Sequence, residues 1–532
     1  MKKSYYVIPH VHWDREWYFT EQKSQLYLLN DLDEVLDTLE EHPEIRTYVF
    51  DAQTSLIEDY LKYHPQKEIQ LKKLIKEKRL LTGPWYTQCD QMVVHGESIV
   101  RNLIYGITEA NSLGHCFMVG YAPDCFGMAE QMPQIFNEFG IKYAIIKRGI
   151  ETSKIPYDEF VWKSDDNGAV TTYHCNDYLN FRNPSNNVLD NISTINQLEA
   201  FYNTRSKTKI YLLFNGFDQH PIRKDIGFIT NELANFINIK IDDPESILNE
   251  INRYKKCLPI FNDEMTCGET ARVHKSIYSS RADIKVLNSK VENKMIRIIE
   301  PLQAYYYELT GHQEKILLKD LWKLIMKNSA HDSIGTCNTD QVNEEIKQRF
   351  LYILETLKQY EELTYREIAN QIKQDEYSIQ IYNYLPYDRM DTVNIEILSP
   401  YKVFSLKDSN GSIYHTEIKV INEVTQEVKE YYRYIQGANN SYRKHYIDKN
   451  IYKCEISALV KTPSMGYETF SIIPEKDRVM KAEQFENKFL KIAINQNGSV
   501  NIYDKHTHHN YEASSGSVGR NESLIWQQGR DI

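Results

Sequence analysis

Four stretches far apart in the chain carry residue types able to do chemistry. They are His10-Val11-His12-Trp13-Asp14-Arg15-Glu16-Trp17-Tyr18, Pro123-Asp124-Cys125-Phe126-Gly127-Met128, Asn215-Gly216-Phe217-Asp218-Gln219-His220-Pro221 and His331-Asp332. The first follows an apolar, β-prone run from Tyr5 to Pro9, as a buried strand delivering ligands at its carboxyl end would do. Side chains two apart on an extended backbone share a face, so His12 and Asp14 can meet one ion. Imidazole with carboxylate suits Zn²⁺ or a similar divalent metal. The bland alternative is His and Trp packed at a strand end. Together the four stretches offer two or three metal ligands and two further carboxylates. One ionised and one protonated carboxyl group are what glycosidic-bond cleavage requires: one attacks or stabilises the anomeric carbon, the other protonates the departing oxygen.

These residues need elements to position them. Up to about residue 260, β-rich runs alternate with helical ones. Tyr5 to Pro9, Thr47 to Asp51, Leu80 to Gln88, Phe117 to Pro123, Tyr143 to Lys147 and Ile210 to Phe214 read as strands, and Ser24 to Leu39 and Ile69 to Lys78 as helices. That alternation predicts parallel β/α units whose strand ends bear His12, Asp14, Asp51, Gln88, Asp90, Asp124, Arg148 and Asp218. From about 285 the period becomes helical: Leu317, Leu321, Leu324 and Ile325 form one stripe, and Val342, Ile346, Phe350, Ile353 and Leu357 another. Between them Ala330 to Thr336 reads as an interhelical loop, with Asn338, Thr339 and Asp340 as candidate caps. After about 377 strands dominate, with hairpin turns at Asn410-Gly411 and Asn497-Gly498. The apolar Leu524-Ile525-Trp526 close to the end predicts a β domain that is cut short.

A chain of 532 residues with 41% hydrophobic and 26% charged residues is globular and large enough for several domains. Its net charge of −11 argues against nucleic acid, whose phosphates need a basic surface. No apolar run is long enough to span a membrane, and Met1 to Tyr6 lead straight into a strand without the features of a signal peptide. The 8 cysteines form no C-x-x-C pair, which fits a reducing cytoplasm. The 39 tyrosines run through the whole chain and read as ordinary packing residues.

At the four stretches, and at Gly83-Pro84-Trp85-Tyr86-Thr87-Gln88 and Glu97 to Leu103, the sequence resembles the α-mannosidases of glycoside hydrolase family 38 and, within them, the bacterial mannosylglycerate hydrolases. The resemblance covers nearly all of the first 380 residues. It implies a seven-stranded β/α barrel over 1-262, a three-helix bundle over 263-376 and a β-sandwich over 377-532; strand counting alone does not separate seven strands from eight. It also implies a metal site of His12, Asp14, Asp124 and His331 holding Zn²⁺ or another divalent cation, with Asp124 doubling as nucleophile. Metal-bound, that carboxylate stays ionised at neutral pH. Asp218 is the candidate acid/base; its alternative role is to accept backbone hydrogen bonds in a turn after Gly216. In a retaining enzyme the two carboxyl groups lie about 5 to 5.5 Å apart.

Around these, Trp13 and Trp85 are candidates to stack on a sugar, Asp332 to bind sugar hydroxyls or orient His331, and Asp51, Tyr86 and Arg148 to wall the pocket; for all but Asp332, packing is an equal reading. His10 belongs outside the ligand set, and His220 and His274 read as loop histidines. Arg272 to Lys285 concentrates positive charge, either as a solvated face or as an anion pocket. The resemblance implies a mannoside substrate, with or without a phosphate, and Lys275 and Arg281 are the candidates to hold that anion. A homodimer is kept open. The rival readings are an α-mannosidase acting on mannose oligosaccharides, a metal-dependent amidohydrolase with further histidines at later strand ends, and a non-catalytic sugar-binding protein.

Overall fold

In a computed structural model, residues 3–166, 168–372, 375, 377–434, 449–476, 484–497 and 499–513 are described. The chain forms two compact units, Met1–Ile372 and Lys373–Ile532.

In the first unit the apolar runs become short, mostly parallel strands: β1 (Ser4–Val11), β2 (Tyr48–Phe50), β3 (Leu80–Leu81), β4 (Val119–Ala122), β5 (Tyr143–Ile146), β6 (Glu159–Lys163), β7 (Ala169–His174), β8 (Ile210–Asn215), β9 (Ile239–Ile241) and β10 (Ile260–Phe261). One sheet has the order β3-β2-β1-β8, with β9 also on β1; the other has β10-β6-β7-β5-β4. β1 is buried along almost its full length because it is covered on both faces. Five expected strands fall where the patterns put them. The sixth, Leu80 to Gln88, is shorter: only Leu80 and Leu81 pair, and the rest is loop. β6 and β7 form an antiparallel pair that the β/α reading did not contain. Helices Glu21–Glu41 and Glu68–Lys76 cover the segments expected to be helical.

Both apolar stripes lie on helices, Lys315–Asn328 and Asp340–Gln371. They share one core with the helix Ala282–Lys294, through Ile284, Val291, Trp322, Ile346 and Phe350, and the helix Glu300–Thr310 packs against Asp340–Gln371. The interhelical segment is not a plain loop: His331–Gly335 makes one helical turn, ended by Thr336 at φ 59°. Thr339 then caps the next helix, its hydroxyl accepting from the Val342 amide.

The second unit holds antiparallel sheets. Ser378–Asn383, Gly466–Pro474, Phe404–Lys407 and Ile413–Tyr414 form one, and Arg389–Ser399, Tyr452–Thr462 and Thr416–Glu423 another. Phe404, Leu406, Phe470 and Ile472 of the first share a core with Cys454, Ile456, Ala458 and Val460 of the second. The turn at Asn410-Gly411 joins paired strands, with Gly411 at φ 88°. Leu490–Ile494 pairs with Val500–Asp504 as the second hairpin expects, although Gly498 lies outside the described residues. So do Leu524, Ile525 and Trp526, and with them the idea of a shortened β domain.

Candidate active site

Parallel pairing sets the register of the site. β1 matches Pro9 to Asn215 of β8, and the pairing continues as an isolated bridge between His12 and Asp218. The His12 amide donates to the Phe217 carbonyl at 3.3 Å, and the Gln219 amide to the His12 carbonyl at 2.9 Å. Two of the four stretches are thereby side by side. On the other flank β1 matches Val11 to Phe50 of β2. The backbone then enters the left-handed region at Asp51 and Ala52, with φ of 48° and 55°, which turns the Asp51 carboxylate back under β1.

Asp51 is fully buried and is satisfied from several directions. His12 Nδ1–H donates to it at 3.0 Å, the Trp13 amide at 2.8 Å, and the Gln53 and Gln88 side-chain amides at 2.7 and 2.9 Å. With Nδ1 so engaged, His12 presents Nε2. His331 is treated alike. Its Nδ1 faces the Gln88 carbonyl at 3.3 Å, and its amide donates to the same oxygen at 2.9 Å, again leaving Nε2 outward. Gln88 therefore supports both histidines, its side chain by way of Asp51 beneath His12 and its main chain directly on His331.

The two Nε2 atoms converge on acid. Asp14 Oδ1 is 3.1 Å from His12 Nε2 and 3.3 Å from His331 Nε2; Asp124 Oδ2 is 3.8 Å from His331 Nε2, and Asp332 Oδ2 is 3.9 Å from it. His12, Asp124 and His331 each offer a ligand atom, these atoms lying within 4.8 Å of one another, and so do Asp14, His331 and Asp332. His12 Nε2, Asp14 Oδ1 and His331 Nε2 are buried without any hydrogen-bond partner. Buried polar atoms left unpaired are costly, so three meeting at one point make a candidate cation site. The proton affinities agree. Burial opposes charge on both imidazoles, yet Asp51 and Asp14 raise His12 well above its usual range, and Asp332 and Asp14 bring His331 to about 9. Burial and then the charge of Asp14 push Asp332 up to about 8. The cluster draws in protons because its carboxylates outweigh its fixed positive charge, and the donor set of imidazoles and carboxylates fits Zn²⁺.

Asp124, just past β4, is held differently. Arg148 donates to its Oδ1 at 2.6 and 3.2 Å, and Lys147 Nζ lies 3.7 Å from the same oxygen, so Oδ2 is the oxygen facing His331. Asp218 accepts from the Tyr178 hydroxyl at 3.0 Å. Burial raises the pKa of Asp218, and the charges of Asp14 and Asp124 add to that against the pull of His12. A carboxyl group that favours its proton thus stands beside one held by cations. Tyr178 also carries Lys147 over its ring at 4.1 Å.

The turn bearing His331 is fastened to the strand end bearing Asp14. Glu16, 2% exposed, accepts from the Ser333 hydroxyl at 2.7 Å and from the Arg349 guanidinium. Arg349 reaches on to Asn328 Oδ1 at 2.5 Å and Glu21 at 3.2 Å.

The remaining candidates are placed as follows. Trp13 and Trp85 are each 1% exposed. Trp13 donates to Ser24 Oγ at 3.0 Å and stacks on Phe50; Trp85 donates to the Tyr121 carbonyl at 2.9 Å and meets Phe136 edge-on. Both indoles occupy core positions with their N–H groups satisfied. Asp332 lies in the cluster, its Oδ1 accepting from Cys337 Sγ at 2.8 Å. Arg281 is turned to Asp340 on the long helix, and Lys275 is exposed. It is Arg272 and His274 of that basic stretch that stand near Asp124: the Arg272 carbonyl accepts from Arg148, and His274 packs edge-on against Phe126, which also meets His331. Of the nominated pocket walls, Asp51 and Arg148 bind the site directly, whereas Tyr86 hydrogen-bonds Glu58 in the core. Tyr178, Lys147 and Arg349 went unread in the sequence, since no local motif surrounds them, and Glu16, although inside the first stretch, was given no role there.

The descriptions of known proteins agree with this geometry. Residues 2–264 match the model for "Glycosyl hydrolases family 38 N-terminal domain", and residues 272–368 match "Alpha mannosidase middle domain". A protein of Halalkalibacterium halodurans described as "Putative mannosylglycerate hydrolase" is 26% identical over 96% of this chain and 62% of its own length. "Alpha-mannosidase 2" of Spodoptera frugiperda is 30% identical, over 27% of this chain and 13% of its own. The crystal structure of an α-mannosidase from Enterococcus faecalis superposes with a TM-score of 0.79 at 23% identity, covering 96% of this chain and 62% of that one. The chain thus spans 62% of the length of the bacterial relatives it matches along most of its own. With both family models matched and the ligand stretches of each brought to one point, the chain belongs to glycosyl hydrolase family 38.

Proposed function

We propose that the protein is a retaining, metal-dependent α-mannosidase whose substrate is a mannosyl-glycerate, in the form 2-O-(6-phospho-α-mannosyl)-glycerate. The observation that carries this reading is the meeting of His12 Nε2, Asp14 Oδ1 and His331 Nε2, unpaired and buried, beside Asp124 and Asp218. His12, Asp14, Asp124 and His331 would hold Zn²⁺ or another divalent ion. When bound, such an ion supplies positive charge to the Asp124 carboxylate and grips vicinal sugar hydroxyls. Asp124 attacks the anomeric carbon while Asp218 gives its proton to the departing oxygen, so the C1–O bond breaks as the Asp124–C1 bond forms. Asp218, now ionised, takes a proton from water. That water attacks C1, displaces Asp124 and leaves the anomeric configuration unchanged. Asp332 is the contact assigned to sugar hydroxyls, and Trp13 and Trp85 are assigned to packing.

The seven-stranded barrel, three-helix bundle and β-sandwich, divided near 262 and 376, remain the architecture of this proposal, supported by the ranges of the two family models. A cytoplasmic location is supported by the eight free cysteines, and no helix of the described residues is long and apolar enough to cross a membrane. A homodimer is a matter for sizing in solution. Oligomannoside and amide hydrolysis are not favoured.

Proton NMR of the first sugar released from an α-mannoside should show the α-anomer, with turnover lost on chelation and restored by Zn²⁺. Release of the β-anomer, or turnover indifferent to metal, would sink the reading. For the phosphate, Arg281→Glu should raise KM for the phosphorylated sugar far more than for a neutral aryl mannoside; equal effects would remove Arg281 and Lys275 from the substrate site.

A further inference from the structure

The basic stretch from Arg272 to Lys285 lies against both sides of the ligand cluster. At its start the Arg272 carbonyl accepts from Arg148, the cation that holds Asp124. His274 then packs edge-on against Phe126, whose ring meets His331. Phe126 and Ile277, the latter 2% exposed, close on Gly335, where a Cβ would fall 3.2 Å from the Phe126 ring and 3.5 Å from the Ile277 side chain. At its end Lys285 donates to the Thr336 hydroxyl at 2.8 Å and to the Gly335 carbonyl at 3.4 Å, and the Ser280 hydroxyl donates to the same carbonyl at 3.1 Å. One segment thus touches the holder of Asp124 and the turn that carries His331 and Asp332.

That turn needs outside support. His331–Gly335 is 5 residues long, too short to stand as an isolated helix. It ends on Thr336, a β-branched residue at φ 59°, a conformation that persists only where the surroundings impose it. The last carbonyls of a helix lack partners within it and carry partial negative charge, so an ammonium placed there is bonded and attracted at once. Lys285, half-buried near the start of the helix Ala282–Lys294, supplies that ammonium.

We propose that Arg272–Lys285 is a brace that fixes where the His331 turn stands relative to Asp124, and that Lys285 is the positioning residue at its far end. Lys285 acts through Gly335 and Thr336 and touches no ligand atom itself. With the ammonium removed the turn opens, and His331 Nε2 loses its fixed place beside Asp14 and Asp124. This rests on the reading of His12, Asp14, Asp124 and His331 as metal ligands, and adds what holds the last of them in place.

The test uses the whole chain, stripped of metal, as wild type, Lys285→Met, Lys285→Arg and Lys290→Met, the last an exposed lysine on the same helix. Amide hydrogen exchange reads the turn directly. The Ile334 and Thr336 amides, which donate to the Ala330 and Asp332 carbonyls at 2.9 and 2.8 Å, should exchange faster in Lys285→Met. About tenfold or more is expected, the worth of one charge-assisted bond. Affinity for Zn²⁺ in chelator competition should fall about 10- to 100-fold in the same variant. Lys285→Arg should recover most of both effects, and Lys290→Met should show neither. Methionine keeps an apolar stem over the same surface; should Lys285→Met still lose the fold, Thr336→Val, which removes the acceptor and leaves the lysine, is held to the same two outcomes. Unchanged exchange overturns the inference and leaves the metal reading standing. So does faster exchange with unaltered zinc affinity, which would make Lys285 a stabiliser of the turn and nothing more. A wild type that takes up no Zn²⁺ sinks the metal reading and the inference together.

Discussion

The two sides of the ligand cluster are built in opposite ways. On one, His12 and His331 are 1% and 3% exposed, each with Nδ1 fixed on an oxygen that cannot move: Asp51 deep in the core for the first, the Gln88 carbonyl for the second. On the other, Asp124 is held through one oxygen by Arg148 and Lys147, and its second oxygen faces His331 at 3.8 Å. A ligand locked from behind by acceptors can only hold. A carboxylate gripped through one oxygen can also form a bond with the other. Under the proposed function, the histidine side serves binding alone, while Asp124 serves both binding and reaction.

The largest expected effect sits on the reactive side. Asp124→Ala should lower kcat by about 10⁴-fold or more, as loss of a covalent nucleophile does. A loss of only tens-fold in stopped assays would make Asp124 one more holder and erase the contrast. On the holding side, Asp51→Asn keeps the size of the side chain but no longer offers His12 a carboxylate. It should weaken zinc about 10- to 100-fold in chelator competition, with kcat at saturating metal much less affected. A change in kcat as large as the change in affinity would show that the two sides are not separate.

The next effect is on pH. The Tyr178 hydroxyl stabilises ionised Asp218, so Tyr178→Phe should raise the Asp218 pKa further. The acid form then survives to higher pH, and the alkaline limb of kcat/KM moves up. A limb that stays put would take Asp218 out of the acid role. Smallest are the indoles. Trp13→Phe and Trp85→Phe should each lower unfolding free energy by about 1–3 kcal/mol through lost packing and a lost N–H bond, with KM hardly changed. A large rise in KM would restore them as sugar contacts.

Sequence reasoning reached the inner residues of this site better than their supports. His12, Asp14, Asp124 and His331 stand in dense local motifs at the ends of apolar runs, a pattern visible one stretch at a time. Their supports depend on which strands lie side by side. Asp51 reaches His12 only because Val11 pairs with Phe50 and the backbone reverses at φ 48°, and nothing local to Asp51 announces either. Tyr178 is one of 39 tyrosines and lies in a loop between β7 and β8, so no signal marks it. The β6–β7 pair was findable, since the sequence has Asn-Gly at 167 and 168 between two β-prone runs, Phe160-Val161-Trp162 and Val170-Thr171-Thr172-Tyr173. Leu80 to Gln88 misled in the other direction. Its residues are β-prone, but after Leu81 they spend their backbone groups on other partners, such as Tyr86 N on Asn102 Oδ1 at 2.8 Å. The His331 turn reads as a loop because Gly335 and Thr336 are helix-stop residues, and they do stop it, after a single turn.

The Glu16 contact with Ser333 and Arg349 has a bearing on how the protein is made. His12 and Asp14 are synthesised well before His331 and Arg349, which lie far later in the chain. Through that interval Glu16 lacks the partners that hold it, and Asp14 and Asp51 crowd His12 without the His331 imidazole that meets Asp14. Under the proposed function, tight capture of an ion waits for the helices, and zinc retention during synthesis would report the moment at which they dock.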